Sequence, residues 1–387
     1  MKIIDIQAAG LRGCTPEGGW AREIHPKDCV HTLVAVYTDE GITGWGSAYT
    51  NEGLVRASLA TLEPLYLGEN PLEPQRVTAS LEAHTWWMGR GGAITHTISG
   101  IDIALWDILG KATQQPVSRL LGGRYRERAL PYASILMRGA EPLADELAAI
   151  RSKGFRAFKI GWGPFGRHGY AYDEAIVRAA RAAVGPDSCL IVDAGASDAF
   201  WRQDYKWAMR TARMLADYDI YWFEEPLPPD DLDNYVRLRQ VSPVRIAGGE
   251  VMTRWQAFEP WLRAGALDIV QPDVTKVGGI STALRIARIA EQQGVRFVPH
   301  GWNTALGLVA DLHLVSACSN SEMVEYIHGS PYVDEIVEQK WELDSEGMLP
   351  VPSRPGLGIT LDLDALEKYT GERFDAFTEK APGSKNY

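Results

Sequence analysis

Three acidic residues stand at the ends of three consecutive predicted strands. They are Asp193 in IVDAG, Glu224 in WFEEP and Glu250 in AGGE, at spacings of 31 and 26 residues, each the length of one βα unit. In a βα barrel the carboxyl ends of the strands open into one shared mouth. Three carboxylates there repel one another unless a cation lies between them, and all-oxygen ligands favour a hard ion. We therefore predict one Mg²⁺ per chain, with Mn²⁺ able to replace it.

The next predicted strands carry a base and its partner. Asp273, His300 and Glu325 follow at spacings of 23, 27 and 25 residues. An imidazole oriented by a neighbouring carboxylate is a general base suited to neutral pH. Across the mouth, Lys159 ends an earlier strand and can bind or polarise a substrate carboxylate. Any one of these residues alone is more often structural. Because they stand at the same point of successive βα units, together they predict an active site. Lys276 lies past a strand end, and we interpret it as a structural ion-pair residue.

The alternation of short apolar runs with amphipathic helices predicts the scaffold of this site. It begins near Tyr132 and includes the apolar run 157–160, followed by the helical pattern 173–183. Such alternation predicts βα units around a parallel sheet. Seven or more units in roughly 210 residues fit a barrel. We place this barrel at residues 126–345.

The first third of the chain does not follow that alternation. Residues 32–37 are strand-like and precede the turn signal Asp39-Glu40-Gly41, whereas residues 98–109 have helical periodicity. Residues 1–125 are therefore predicted to form a small α+β domain. The polar, Pro- and Gly-rich segment 346–387 is expected to pack back on that domain and complete it.

Composition narrows the class of protein. The chain has 387 residues, a hydrophobic fraction of 45% and a formal net charge of −11, so basic surfaces for nucleic acid or membranes are not expected. Its four cysteines form no CxxC pair, and we expect neither a signal peptide nor a membrane span. We expect a cytoplasmic protein whose partner is a small molecule. An anionic substrate then needs a local cation to hold it.

Several sequence strings together resemble the enolase superfamily, specifically the mandelate racemase branch of the mandelate racemase/muconate lactonizing enzyme family. They are ISGIDIALWDILGK, LLGG, GFRAFK, WFEEP, AGGE, QPDVTKVGG and PHGWN, in that order over nearly the whole chain. The resemblance implies an α/β fold, a modified TIM barrel (β/α)₇β with an N-terminal α+β capping domain, and a homo-oligomer. It implies Mg²⁺ held by Asp193, Glu224 and Glu250, and selects Glu224 over Glu225.

The resemblance also implies roles for the remaining site residues. His300 matches the base or acid of the family's His–Asp dyad, and Asp273 matches its orienting partner. Glu325 resembles the carboxyl group that hydrogen-bonds the substrate carboxylate. The family's usual Lys-x-Lys is here Lys159-Ile160-Gly161. Aligned without a gap, Lys159 matches the substrate-binding lysine and Gly161 stands where a second base would be; a two-residue shift would make Lys159 that base.

The gapless alignment leaves His300 as the obvious base and favours elimination over two-base racemisation. The leading hypothesis is Mg²⁺-dependent dehydration of a sugar acid to a 2-keto-3-deoxy sugar acid. His300 takes the proton alpha to the carboxylate, and its conjugate acid helps to expel the β-hydroxyl. The alternatives are a racemase, epimerase or cycloisomerase of an acid sugar or its lactone, and a non-catalytic, metal-stabilised binding protein. The dyad argues against the last of these.

Substrate specificity is expected to come from loops of the capping domain that close over the mouth. Trp20 and His25 lie in a segment preceded by Gly18-Gly19, which suits a mobile lid. Arg90 follows the Trp86-Trp87 pair, and Trp302 belongs to the PHGWN string. We predict that these residues contact substrate; for the two capping-domain patches, packing of the aromatic rings against the barrel is the alternative.

Overall fold

The computed structural model describes residues 1–14, 30–195 and 204–372, which form an α+β cap on the mouth of a parallel barrel. Its strands are β1 (Ile3–Leu11), β2 (His31–Thr38), β3 (Thr43–Ala48), β4 (Arg128–Leu136), β5 (Ala157–Gly161), β6 (Cys189–Asp193), β7 (Trp222–Glu224), β8 (Arg245–Gly248), β9 (Ile269–Val270), β10 (Arg296–Phe297), β11 (Met323–Ile327) and β12 (Leu349–Pro350). Its helices are α1 (Glu52–Tyr66), α2 (Pro74–His84), α3 (Gly92–Thr113), α4 (Val117–Leu120), α5 (Ala140–Ser152), α6 (Tyr170–Val184), α7 (Tyr205–Asp217), α8 (Leu232–Val241), α9 (Trp255–Ala264), α10 (Gly279–Gln292), α11 (Ala305–Ala317), α12 (Pro331–Asp334) and α13 (Leu363–Thr370). Among the helices of these three ranges, none has the length and apolar character needed to cross a membrane.

Among the described residues of the cap, three strands form an antiparallel sheet in the order β1-β2-β3. Side chains on a strand alternate between its two faces. In β2, Val34 and Val36 pack in a cluster with the cap helices, whereas Leu33 and Ala35 belong to the large core shared with the barrel. Both faces of β2 are therefore covered, which explains its continuous apolar run.

Two glycines let helix α3 lie directly on strand β3. A Cβ atom on Gly44 would lie 2.1 Å from the carbonyl oxygen of Ala104, and one on Gly46 would lie 1.9 Å from that of Gly100. No side chain fits in that space, so the backbones approach as only glycine allows. The ISGIDIALWDILGK string is thus the helix that holds the cap together.

In the described part of the chain, the barrel has eight parallel strands, β4 to β11, connected by seven helices, α5 to α11. Neighbouring strands pair in the order β10-β9-β8-β7-β6-β5-β4-β11, and the sheet curls around an apolar interior. One buried residue from each strand or its end forms this interior layer: Tyr132, Ala157, Ile191, Trp222, Ala247, Ile269, Val298 and Met323. The architecture confirms the predicted (β/α)₇β fold with an N-terminal cap.

Buried polar contacts join cap and barrel. Asp102 of α3 accepts hydrogen bonds from the backbone nitrogen (2.9 Å) and the hydroxyl (2.5 Å) of Ser281 in α10. The C-terminal segment contacts both bodies: β12 pairs with β4, and the nitrogen of Gly356 donates to the carbonyl of Gln115 (3.0 Å). The residue at which each domain ends stays a prediction.

Candidate active site

Strand register brings the predicted site residues together above the apolar interior layer. Lys159, Asp193, Glu224, His300 and Glu325 each lie two positions after their strand's member of that layer. Because side chains alternate along a strand, they point inward, one step nearer the carboxyl ends. Lys159 and Glu325 lie within β5 and β11 rather than at the strand ends expected from the sequence, since both strands continue for two more paired residues.

The three predicted metal ligands form a compact, buried group. One carboxylate oxygen from each of Asp193, Glu224 and Glu250 lies within 4.8 Å of the other two. Burial and the neighbouring Glu224 carboxylate raise the pKa of Asp193 well above its usual value. Such crowding is relieved when a cation lies between the carboxylates. The donor set, three buried carboxylates close to one another, fits a hard divalent metal ion.

Glu225, the other member of the doublet, has a different environment. Its backbone is left-handed (φ 41°), and its Oε1 accepts a hydrogen bond from the nitrogen of Gly249 (3.1 Å). Burial and the charge on Glu250 raise the pKa of Glu225 to about 8. Among the described residues, the group of carboxylates that can hold a metal contains Glu224 instead of Glu225.

Lys159 lies between the predicted metal ligands and Glu325 and contacts both. Its Nζ lies 2.6 Å from Glu224 Oε1, 2.9 Å from Glu325 Oε1 and 3.4 Å from Asp193 Oδ2. Burial lowers the pKa of Lys159, but Glu224 and Glu325 outweigh burial and raise it well above its usual value. Burial likewise opposes ionisation of Glu325, yet Lys159 holds the pKa of Glu325 at about 2. Both side chains are charged at neutral pH.

The imidazole of His300 is fixed by its two neighbours. Its Nδ1 lies 2.8 Å from Asp273 Oδ2, and its Nε2 lies 3.3 Å from Glu250 Oε2. Burial lowers the pKa of His300, but Glu250 and the hydrogen bond with Asp273 raise it above 6.5. Because the Asp273 carboxylate accepts the Nδ1 proton, the neutral ring keeps its lone pair on Nε2. That nitrogen is the one available to a reacting proton.

Strand pairing bears on the two readings of Lys159-Ile160-Gly161. In the β5–β6 ladder Gly161 is opposite Asp193 without a bulge. A Cβ on Gly161 would lie 3.1 Å from Cβ of Asp193, whereas the amine of Lys159 reaches Glu224 and Glu325 instead. The geometry favours Lys159 as a substrate-carboxylate ligand over Lys159 as a second base. The role itself stays a prediction.

A cavity lies at the mouth and brings these groups together with residues that the sequence analysis did not select. Lys159, Asp193, Glu250 and His300 line it, together with the additional residues Tyr49, Ser134, Trp162 and Lys276. The Lys276 amine lies 3.6 Å from Asp273 Oδ2, 3.3 Å from the carbonyl of Glu250 and 4.1 Å from the centre of the Tyr49 ring. Lys276 thus makes the anticipated ion pair and also faces the cavity. The feature of the sequence that could have indicated this position is that Lys276 follows Asp273 by three residues.

Of the residues predicted to contact substrate, some line the cavity and others do not. Trp302 lines the cavity. Arg90 is exposed and is not among the described residues that line the cavity, and Trp87 is 99% exposed. The turn that carries Arg90 packs on the loop after β8, where a Cβ on Gly91 would lie 2.6 Å from Thr253 Oγ1. Trp20 and His25 lie outside the described residues.

Known proteins share the sequence and the fold over most of the chain. Residues 142–365 match the family described as "Enolase C-terminal domain-like", and residues 21–122 match "Mandelate racemase / muconate lactonizing enzyme, N-terminal domain". The D-galactarolactone cycloisomerase of Agrobacterium fabrum is 35% identical, over 88% of this chain and 91% of the relative. The D-xylonate dehydratase of Haloferax volcanii is 32% identical, over 97% and 96%. The structure of 3,6-anhydro-D-galactonate cycloisomerase from Zobellia galactanivorans superimposes with a TM-score of 0.85 at 32% identity, covering 95% of this chain and 99% of that one.

Proposed function

Because the chain belongs to the mandelate racemase/muconate lactonizing enzyme family of the enolase superfamily, we propose that it dehydrates a sugar acid to a 2-keto-3-deoxy sugar acid, with Mg²⁺ as cofactor. The chain is an enzyme, as are the dehydratase and the cycloisomerase that it matches over nearly their whole length. The observation that carries the proposal is the position of the His300–Asp273 dyad, which lies against one edge of the buried carboxylate group.

Asp193, Glu224 and Glu250 would hold the metal ion. When bound, Mg²⁺ supplies a Lewis acid that withdraws charge from the substrate carboxylate as the adjacent C–H bond breaks. Lys159 donates hydrogen bonds to that carboxylate. The Glu325 carboxylate lies 2.9 Å from the Lys159 amine and orients it. The direct contact between Glu325 and the substrate carboxylate that the family resemblance implies stays a prediction.

His300 moves the proton. Its Nε2 takes the proton alpha to the carboxylate, and the electron pair of the C–H bond enters the carboxylate system. The Asp273 carboxylate stabilises the resulting imidazolium. His300 then returns the proton to the β-hydroxyl, which leaves as water while the C2–C3 double bond forms. The enol product tautomerises to the 2-keto acid.

One-sided placement of the base favours elimination over racemisation. Racemisation needs a second proton carrier on the opposite face of the alpha carbon, and Gly161 has no side chain to supply one. Lys276 also lines the cavity, but it contacts Asp273 and therefore lies on the same side as His300. A dehydration that uses one histidine as base and then as acid fits this arrangement.

Cycloisomerisation of a sugar lactone or anhydro sugar is the second candidate. It is favoured by the names of the Agrobacterium relative and of the Zobellia structure. The first step, removal of the alpha proton by His300, is the same. The ring oxygen, instead of a free hydroxyl, then leaves from the β carbon.

The test is a screen of the purified protein with Mg²⁺ against mono- and diacid sugars and their lactones. Mass spectrometry separates loss of water from isomerisation, and a carbonyl reagent detects 2-keto acids. We expect a 2-keto acid whose formation stops with EDTA and with His300→Asn. The exposed His84, which lies outside the cavity, gives the matched control His84→Asn, which should remain active. A ring-opened isomer without loss of water identifies the cycloisomerase, whereas no turnover of any compound contradicts both candidates.

A further inference from the structure

Trp222 contacts a proposed metal ligand directly. Its indole Nε1 donates a 2.8 Å hydrogen bond to Glu224 Oε2, and both side chains are fully buried. The two residues occupy the first and last positions of β7 and point to the same face because strand side chains alternate. Trp222 thus belongs to the apolar interior layer, while its polar edge reaches the next layer up.

The surroundings of Trp222 leave its indole little choice of partner. The ring packs edge-on against Tyr132, with centroids 5.5 Å apart and an interplanar angle of 87°. The rest of the interior layer is apolar. A buried indole N–H without an acceptor is costly, so the bond to Glu224 is maintained by the same packing that holds the ring.

The two carboxylate oxygens of Glu224 are held in different ways. Oε2 accepts from the rigid, packed indole, whereas Oε1 accepts from Lys159, whose amine is shared with Glu325 and Asp193. In the proposed function Lys159 also binds the substrate carboxylate, so its amine divides its hydrogen bonds among several partners. Trp222 is the fixed donor that keeps the Glu224 carboxylate in one rotamer.

We propose that Trp222 is a positioning residue for the metal site, acting through Glu224. The inference rests on the proposed function, since it assumes that Glu224 binds the metal ion. Residues that orient metal ligands typically contribute 10- to 100-fold to metal affinity. We expect Trp222→Phe, which keeps an aromatic ring but removes the N–H, to weaken Mg²⁺ binding by about that factor.

The test is calorimetric titration of the metal-free full-length chain with Mg²⁺. Trp341→Phe is the matched control, because the Trp341 indole also donates a hydrogen bond, to the carbonyl of Val333 (2.7 Å), but does not line the cavity. A purely structural role for Trp222 would lower the melting temperature without changing the dissociation constant. We therefore expect Trp222→Phe alone to raise the Mg²⁺ dissociation constant, while Trp341→Phe stays within about twofold of wild type. Unchanged Mg²⁺ affinity in folded Trp222→Phe overturns the inference.

Two further measurements keep the test decisive. If Trp222→Phe does not fold, Trp222→Tyr takes its place. Indole ¹⁵N labelling then identifies the Trp222 N–H signal as the one missing from Trp222→Tyr and shows whether that signal shifts in the wild-type chain when Mg²⁺ is added; no shift of that signal contradicts the inference. If wild type binds Mg²⁺ no better than Asp193→Asn, the metal assignment in the proposed function is itself wrong. If wild type and Trp222→Phe bind equally well and Asp193→Asn does not bind, only the role of Trp222 is wrong.

Discussion

Replacing Asp273 by Asn should invert the proton arrangement of the His300 ring. Asp273 Oδ1 accepts hydrogen bonds from the nitrogen (2.7 Å) and the hydroxyl (2.5 Å) of Thr275, and its Oδ2 faces His300 Nδ1 at 2.8 Å. In Asp273→Asn the amide oxygen must stay with the two Thr275 donors. The amide NH₂ then faces Nδ1 and donates to it, so the ring proton moves to Nε2. A ring in that tautomer cannot accept a proton from the substrate.

The magnitude follows from the loss of general-base catalysis. A positioned base contributes about 10²–10⁴ in rate, and the corresponding Asp-to-Asn change in a serine protease costs about 10⁴. We expect kcat to fall by about 10³–10⁴, or about 4–5 kcal/mol in activation free energy. Mg²⁺ affinity and the melting temperature should change little, because Asn fills the same space.

Steady-state kinetics on the substrate found by the screen, with calorimetric Mg²⁺ titration, measure this effect. Thr275→Val is the graded control: it removes the hydroxyl donor but keeps the backbone N–H that holds Oδ1, so kcat should fall by no more than about tenfold. A kcat of Asp273→Asn within tenfold of wild type would refute the tautomer argument and the assignment of His300 as the base.

Three other substitutions test the cap–barrel contact and the metal group. Burial raises the pKa of Asp102 to about 7 despite its hydrogen bonds from Ser281, so wild type should lose stability as the pH rises from 4 to 7, by at most about 4 kcal/mol. Asp102→Asn should remove the contribution of Asp102 and make the pH dependence of stability shallower in urea unfolding followed at several pH values; parallel curves for the two proteins contradict the prediction. Gly279→Ala should lower the free energy of unfolding by about 1–3 kcal/mol or more. Gly279 has φ +77°, and a Cβ there would lie 2.4 Å from Cβ of Asp102. An unchanged melting temperature would be inconsistent with that clash. Gly161→Ala should weaken Mg²⁺ binding by roughly tenfold without unfolding the chain, because its Cβ would lie 3.2 Å from Asp193 Oδ2; calorimetry showing wild-type affinity would count against Asp193 as a ligand.

Unit spacing made most of the site predictable. A barrel repeats one βα unit at a time, so residues at the same point of successive units must meet at the mouth. This periodicity identified Asp193, Glu224 and Glu250, whose carboxylates the structure brings within 4.8 Å of one another. It also identified Asp273 and His300 as neighbours on adjacent strands, which pair by an isolated bridge.

Contacts that cross between layers or between domains carry no such periodicity. Tyr49 faces the cavity because its backbone nitrogen bonds to the carbonyl of Thr275, a contact between cap and barrel that no local pattern encodes. Trp222 was indistinguishable from an ordinary core aromatic until its indole was seen to reach Glu224. The flanking tryptophans suggested a substrate patch at Arg90, but that side chain is exposed and is not among the described residues that line the cavity.

The most direct test of the central claim is solvent deuterium exchange. Wild type, Mg²⁺ and the identified sugar acid are incubated in D₂O, and both the recovered substrate and the product are analysed by NMR and mass spectrometry. With His300 as the base on one face, any deuterium in recovered substrate lies at the alpha carbon with retained configuration, and His300→Asn abolishes both exchange and product. Recovered substrate with inverted configuration, or exchange that persists in His300→Asn, would contradict a single-base enzyme.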